Sequence, residues 1–290
     1  IKRSCNTWMY QAALRAGSDA IIDMALRMGF GEKTGIPLVE ASGNVPTNAA
    51  RKAKNLPKIG GGDLANISIG QGDVLVTPLQ VCRCMAALAD GETMPKPRLV
   101  KQIQDVNDRV VMAYDVEVAR KVDLNPEYRD AVVKGMVAVV SGDNGTGRRA
   151  GIKHAQVAGK TGTAQWKLAE DQNLAWFTGF LPANNPVYAF AVLYEGAPGE
   201  TVSGGAKSAP MVSEVFNNVF EKASPDDPLV LAMQDIPVAV EVDEGDTEAS
   251  EGGSGRNSNS EAQTYVEPPP TQETESRGVR GFFRRLFRRD

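Results

Sequence analysis

Histidine is almost missing from this sequence. His154 is the only one among 290 residues, which excludes a His-rich metal centre and leaves any Ser-His-Asp triad dependent on that one side chain. Cysteine is nearly as scarce. Cys5, Cys82 and Cys84 form no C-x-x-C pair, and an odd count argues against a disulfide framework. No uninterrupted apolar run approaches the about 18–20 residues of a membrane span, and neither a heptad nor a collagen-like repeat persists. Ile1-Lys2-Arg3 has neither an initiator Met nor an apolar stretch behind it, so the expectation is a chain without a signal peptide, cut from something longer. No metal site and no cofactor are expected. Catalysis, if present, should rest on Ser, Lys, Asp or Glu.

What is present suffices for a core. Hydrophobic residues make up 42% of the chain, and the length allows one large domain or two small ones. The net charge of −4 hides a division. From Asp226 to Ser276 there are 13 Asp or Glu against a single Arg256, in a context of Gly, Ser, Asn and Pro268-Pro269-Pro270. Such a stretch cannot bury enough apolar surface to offset chain entropy, so residues 225–276 are expected to form an acidic, disordered linker. Residues 277–290 reverse the sign with six Arg and one Asp. The remainder, residues 1–224, is about +3 by the same count and is expected to be the folded domain.

Within that domain, Asn6–Ala16 and Ser18–Phe30 read as two helices, separated at Gly17 and stopped at Gly29 and Gly31. Ala41–Gly62 reads as loop, with Pro46, Pro57 and three successive glycines. Thr77-Pro78 opens a helix to Ala89, the Thr as N-cap and the Pro in the first turn. Leu99–Val106 and Arg109–Tyr114 alternate like a hairpin. Asn125-Pro126 opens a helix to Val140. Val157–Trp166, Ala175–Leu181 and Val187–Tyr194 read as short strands, and Ala206–Glu221 as a closing helix. Helices, then an antiparallel meander, then a helix indicate an α+β fold with segregated layers.

The most informative run is Val157-Ala158-Gly159-Lys160-Thr161-Gly162-Thr163-Ala164-Gln165. Its Gly-Lys-Thr invites a phosphate-loop reading, but that motif needs Gly five places before Gly159, where His154 stands. What remains is a small-residue strand with one Lys and two hydroxyls. A peptide could add to its edge, with Lys160 supplying charge for a carboxylate and Thr161 and Thr163 supplying hydrogen bonds. An ordinary strand with an exposed Lys is the open alternative. Ser4-Cys5-Asn6 stands at a loop-to-helix junction, where Ser and Asn either point at one cleft or simply cap the helix.

Together the two pieces fit S-x-x-K, S-x-N and K-T-G, the motif set of penicillin-binding proteins and serine β-lactamases. Ser4–Tyr10, Gly29–Ile36, Ile69–Gly72 through Thr77–Gln80, Gly145-Thr146-Gly147 and Ala158–Gln165 resemble a class B penicillin-binding protein, of the elongation-type penicillin-binding protein 2 group, over about residues 1–223. The resemblance implies the α+β transpeptidase fold, an antiparallel sheet with helices on its faces, here N-terminally incomplete. It implies that Lys160 and Thr161 bind the terminal carboxylate of a D-Ala-D-Ala stem peptide, within the Lys160-Thr161-Gly162 motif. Thr163 would help through its hydroxyl and offer its N–H to an oxyanion. Ser4 would relay a proton between lysines and leaving amine, and Asn6 would hold the substrate amide. The implied reaction is peptidoglycan cross-linking through a serine acyl-enzyme resolved by a neighbouring amine, with β-lactams as inhibitors.

No Ser in this chain has Lys three places later. The nucleophile is therefore expected upstream, together with a membrane anchor, and the chain alone is expected to be inactive. Two decoys are set aside. Lys33-Thr34-Gly35 repeats K-T-G but leads into a turn at Pro37, and Ser42-Gly43-Asn44 repeats S-x-N inside a Gly/Pro-rich loop. His154 is expected in a loop or at a strand edge, Cys5 as a small buried filler, and Cys82 and Cys84 on a helix.

In the tail, Val279, Phe282, Phe283, Leu286 and Phe287 share one helical face against Arg280, Arg284 and Arg288, a basic amphipathic pattern suited to anionic lipid. The resemblance places the domain at the periplasmic face of the inner membrane, where nucleic acid is not a partner and a membrane glycosyltransferase is. Two further readings stay open: a serine β-lactamase or D,D-carboxypeptidase, and a non-catalytic penicillin-binding sensor or binding domain.

Overall fold

The structure is a computed structural model, and it describes residues 1–225, 227 and 230. The acidic linker and the basic tail expected over 225–276 and 277–290 otherwise lie outside the described residues. Two helices open the chain, α1 (Asn6–Ala16) and α2 (Ser18–Arg27), with Gly17 between them. The second ends earlier than expected, because Met28 leaves helical geometry and Gly29 turns at φ +81°.

The stretch expected as loop contains a helix, α3 (Asn48–Ala53). Thr47 caps it by accepting the Ala50 N–H at 3.0 Å, a local signal outweighed in the sequence by the surrounding Pro and Gly. A further helix, α4 (Gly61–Ser68), starts within the triple glycine. There the Asp63 carboxylate accepts the Gly60 N–H at 3.1 Å, and Leu64 is buried. Capping and burial together overcome the poor helix propensity of glycine.

The longer α5 (Pro78–Asp90) and α6 (Pro126–Ser141) fall where their N-caps predict. Thr77 and Gln80 form a reciprocal capping box on α5, and the Asn125 side chain accepts the Tyr128 N–H at 3.2 Å on α6. Between them runs a paired arm of short strands. The strands β2 (Gln102–Gln104) and β3 (Val110–Ala113) make the expected hairpin, and β1 (Thr93–Pro95) pairs with β4 (Val118–Lys121) outside it. These outer strands are three and four residues long, too short for an alternation to be read.

The central sheet is a three-stranded antiparallel meander of β5 (Ala158–Lys167), β6 (Gln172–Leu181) and β7 (Tyr188–Glu195), in that spatial order. Helix α7 (Ala209–Lys222) follows a wide turn over Gly204–Ser208. The helix starts later than expected because Pro210 cannot donate a backbone hydrogen bond and its ring crowds the carbonyl four residues back, so the preceding turn widens.

Alternation along β6 sends Phe177 and Leu181 to one face and Phe180 to the other. Phe177 and Leu181 pack with Val139, Val140, Val212 and Phe216 of α6 and α7, and Phe180 packs with Ala89, Met136 and Val137 of α5 and α6. Helices thus cover both faces of an antiparallel sheet, the arrangement expected from the sequence. Fully burying each of these large side chains contributes about 1.5–3 kcal/mol. Gly159 makes the sheet possible at its centre. A Cβ there would lie 2.4 Å from Phe177 Cζ, so only glycine lets β5 cross that ring. Among the described residues no helix is long and apolar enough to cross a membrane.

Candidate active site

The edge of β5 not paired with β6 borders a cleft of about 430 Å³, lined by Ser4, Asn6, Thr146, Thr161, Gly162, Thr163, Ser203, Gly204 and Gly205. Four separate pieces of sequence meet there: the start of α1, Thr146 after α6, the K-T-G strand, and the turn before α7. The central contact is Lys160 Nζ donating to Ser4 Oγ at 2.7 Å. Lys160 also donates to the Thr161 carbonyl, and burial pushes its ammonium below the ordinary lysine value.

Ser4 is not a cap. Cys5 occupies the N-cap position of α1 and no side chain caps the helix. Ser4 itself sits at φ +52°, an uncommon backbone for a residue with a Cβ, in a turn closed by its own N–H on the Ile1 carbonyl at 3.1 Å. That geometry turns its hydroxyl to Lys160. Asn6, the first residue of α1, lines the same cleft from the same side. The cleft-facing alternative for Ser4-Cys5-Asn6 is the one realised, and the strand alternative with an exposed Lys is not.

On β5 the two hydroxyls differ. Thr161 is nearly buried and its Oγ1 lies 2.8 Å from Thr146 Oγ1, whereas Thr163 is exposed to the cleft. Thr146 stands in the sequence only within the Gly145-Thr146-Gly147 run that helps carry the family resemblance; its hydroxyl contact was not legible there. Ser203, Gly204 and Gly205 were missed altogether. The one local signal for them is a Ser-Gly-Gly run ahead of an amphipathic helix.

Both decoys do structural work away from the cleft. Thr34 N–H, Thr34 Oγ1 and Gly35 N–H donate to the Glu40 carboxylate at 2.9, 2.7 and 2.8 Å. Asn44 donates to the Asp73 carbonyl at 2.6 Å, and the Ser42 carbonyl accepts from buried Gln80 at 2.8 Å. Cys5 corrects an expectation: it is exposed rather than buried, because α1 presents its first turn to solvent. Cys82 and Cys84 lie on α5, and burial drives the Cys84 thiol up to about 12. His154 sits in the loop before β5 with its ring 5.4 Å from that of Phe220. Among the described residues no His, Cys, Asp and Glu cluster is placed to hold a metal ion.

A cleft bordered by a part-buried ammonium, with hydroxyls along its lining and an open strand edge, can bind an extended peptide ending in a carboxylate. The Lys160–Ser4 contact adds a route for proton transfer. The family model for the penicillin binding protein transpeptidase domain matches residues 1–221. The chain is 31% identical over 243 residues to the peptidoglycan D,D-transpeptidase MrdA of Haemophilus influenzae, covering 78% of this chain and 36% of that protein. Among solved structures it is similar to Pseudomonas aeruginosa PBP2 in complex with WCK 5153 (TM-score 0.62, 32% identity, 76% of this chain and 48% of that one). It is also similar to the ceftriaxone acyl-enzyme of penicillin-binding protein A from M. tuberculosis (TM-score 0.61, 30% identity, 73% and 46%). The complex of PBP2 and MreC from Helicobacter pylori is comparably close (TM-score 0.61, 29% identity, 76% and 39%). The chain thus spans between a third and a half of the proteins it matches.

Proposed function

Because the chain belongs to the penicillin-binding protein transpeptidase family, of the class B PBP2/MrdA type, we propose that it supplies the carboxylate-binding and proton-relay side of a peptidoglycan D,D-transpeptidase site. The observation that carries this reading is the 2.7 Å contact between Lys160 and Ser4 across 156 residues of sequence, at the open edge of β5. Lys160, Thr161 and Thr163 hold the terminal carboxylate of a D-Ala-D-Ala stem peptide, with Gly162 leaving room for its backbone. Asn6 holds the penultimate amide. The Thr163 N–H faces the oxygen that becomes negative when a serine attacks the carbonyl.

In that step the serine oxygen bonds to the carbonyl carbon, the amide C–N bond breaks, and the serine proton passes through Ser4 to the departing D-Ala amine. An amine of a neighbouring peptide then displaces the serine and completes the cross-link. β-Lactams occupy the same cleft as acyl donors. No Ser here has Lys three places on, so the nucleophile is proposed to come from outside these residues and the chain alone does not acylate. Incubation with a fluorescent penicillin and denaturing electrophoresis tests this. Unlabelled chain is expected, and stoichiometric labelling of Ser4 or any other Ser overturns it.

The proposed setting is the periplasmic face of the inner membrane, beside a membrane glycosyltransferase. Residues 1–224 act there as the transpeptidase portion, 225–276 as an acidic tether and 277–290 as a basic contact with anionic lipid. Salt-sensitive co-flotation of the chain with phosphatidylglycerol vesicles is expected, and a version ending at residue 276 that floats equally well removes the lipid role.

A further inference from the structure

At Gly204 and Gly205 the cleft is lined by backbone. Gly204 is buried, and a Cβ on it would lie 2.0 Å from the Trp176 carbonyl oxygen and 2.7 Å from that of Gly162. A Cβ on Gly205 would lie 2.2 Å from the Thr146 carbonyl oxygen. Two glycines seated this closely set the cleft's width, yet they bring no side chains to hold themselves in place. The wall must be held by its neighbours in sequence.

One anchor is Ser208, whose buried hydroxyl donates to the Ala175 carbonyl at 2.8 Å. The other is an assembly outside the cleft, unused in the chemistry above. Lys207 Nζ lies 2.6 Å from Glu200 Oε1 and 5.1 Å from the centroid of the Tyr194 ring. The other Glu200 oxygen accepts the Ala197 N–H at 2.9 Å and the Tyr194 hydroxyl at 3.1 Å. One carboxylate thus receives donors from β7, from the loop after it and from the turn carrying the two glycines. The connection from Tyr194 to Lys207 is closed on itself, with the cleft wall inside the closed segment.

We propose that Glu200 and Lys207 are positioning residues, a latch that fixes the Gly204-Gly205 wall and through it the fit of the peptide's C-terminal end in the cleft. Neither touches the cleft itself; each acts through the turn, in which Ala206 alone separates Lys207 from Gly205. The latch governs how tightly the peptide seats and takes no part in proton transfer. This role rests on the peptide-binding reading of the cleft, whereas the latch's effect on the wall does not.

The test uses the 290-residue chain and three variants: Glu200→Gln, Lys207→Met, and the double exchange Glu200→Lys with Lys207→Glu. Two quantities are measured. The first is hydrogen exchange of the Gly204 and Gly205 amides; the second is the affinity for diacetyl-Lys-D-Ala-D-Ala by NMR shift perturbation. Each single variant is expected to speed exchange at both glycines and weaken the peptide by about two- to fivefold, the scale of one partly exposed ion pair. The double exchange re-forms the ion pair but offers no acceptor to the Ala197 N–H and the Tyr194 hydroxyl, so it is expected to restore both quantities in part, which a loss of general packing would not allow. Unchanged exchange in the single variants overturns the latch, as does a double exchange that restores neither quantity. Faster exchange with unchanged peptide affinity overturns the link from wall to substrate. A parent chain that binds no peptide sinks the functional reading instead, and the exchange rates then still decide whether the latch holds the wall.

Discussion

Under the proposed function, two demands on Lys160 pull in opposite directions. Its ammonium must be charged to attract a carboxylate, yet burial favours the neutral form. The contact with Ser4 and the Thr161 carbonyl offers it hydrogen-bond acceptors without a counter-charge. Affinity for a D-Ala-D-Ala peptide is therefore expected to hold at neutral pH and to fall as pH rises through a lysine value below the ordinary one of about 10.4. Lys160→Met should remove that alkaline limb, and Lys160→Arg should move it upward, since guanidinium stays charged. A parent binding curve that stays flat until the ordinary lysine value would contradict the role assigned to burial. The type of residue at 160 was legible from K-T-G alone. Its lowered proton affinity was not, because that depends on which atoms surround it.

At the scale of elements, the helix that carries the capping box shows how a local signal is reused by the tertiary structure. Thr77 Oγ1 accepts the Gln80 N–H at 3.2 Å, and Gln80 Oε1 accepts the Thr77 N–H at 2.9 Å. The Gln80 amide also donates to the Glu32 and Ser42 carbonyls, tying α5 to the loops that contain both decoy motifs. Thr77→Ala should cost about 1 kcal/mol, the usual value of a cap. Gln80→Ala should cost more, about 2–3 kcal/mol, because two carbonyls lose their donor in a buried place. Urea unfolding midpoints compare the two, and equal losses would mean that Gln80 acts only as a cap. The boundaries of α1, α5 and α6 were readable because Gly17, Thr77-Pro78 and Asn125-Pro126 are chemical stops and starts. Those of α3 and α4 were hidden, since Gly60–Gly62 reads as a breaker until Asp63 and the burial of Leu64 are seen together.

For the molecule as a whole, Glu32 joins parts far apart in sequence. Its carboxylate meets buried Arg83 of α5 at 2.8 Å and also pairs with Arg120 of β4. Arg83 in turn donates to the Thr34 and Gly29 carbonyls at 3.1 and 3.2 Å. Burial alone would raise the Glu32 carboxyl, but the hydrogen bonds and charges of Arg120 and Arg83 outweigh it and hold the group below the ordinary carboxylate value. A depressed folded-state value means that its stabilisation is present above about pH 4.3 and disappears as pH falls through the lowered value. Glu32→Gln should therefore lower the thermal midpoint at pH 7 and narrow the difference from the parent in acid. A gap that stays constant from pH 7 to pH 3 would show that Glu32 acts by packing. By itself the sequence determined the α+β class, the long helices, the meander and the residue types of the S-x-N and K-T-G motifs, because each is written within a short span by periodicity, capping or chemistry. Only the tertiary structure decided that Ser4 faces Lys160 rather than capping α1, that Thr146 meets Thr161, and that Ser203, Gly204 and Gly205 close the cleft. Those are contacts between residues many positions apart, and they exist only once the packed sheet and its helices bring the backbones together.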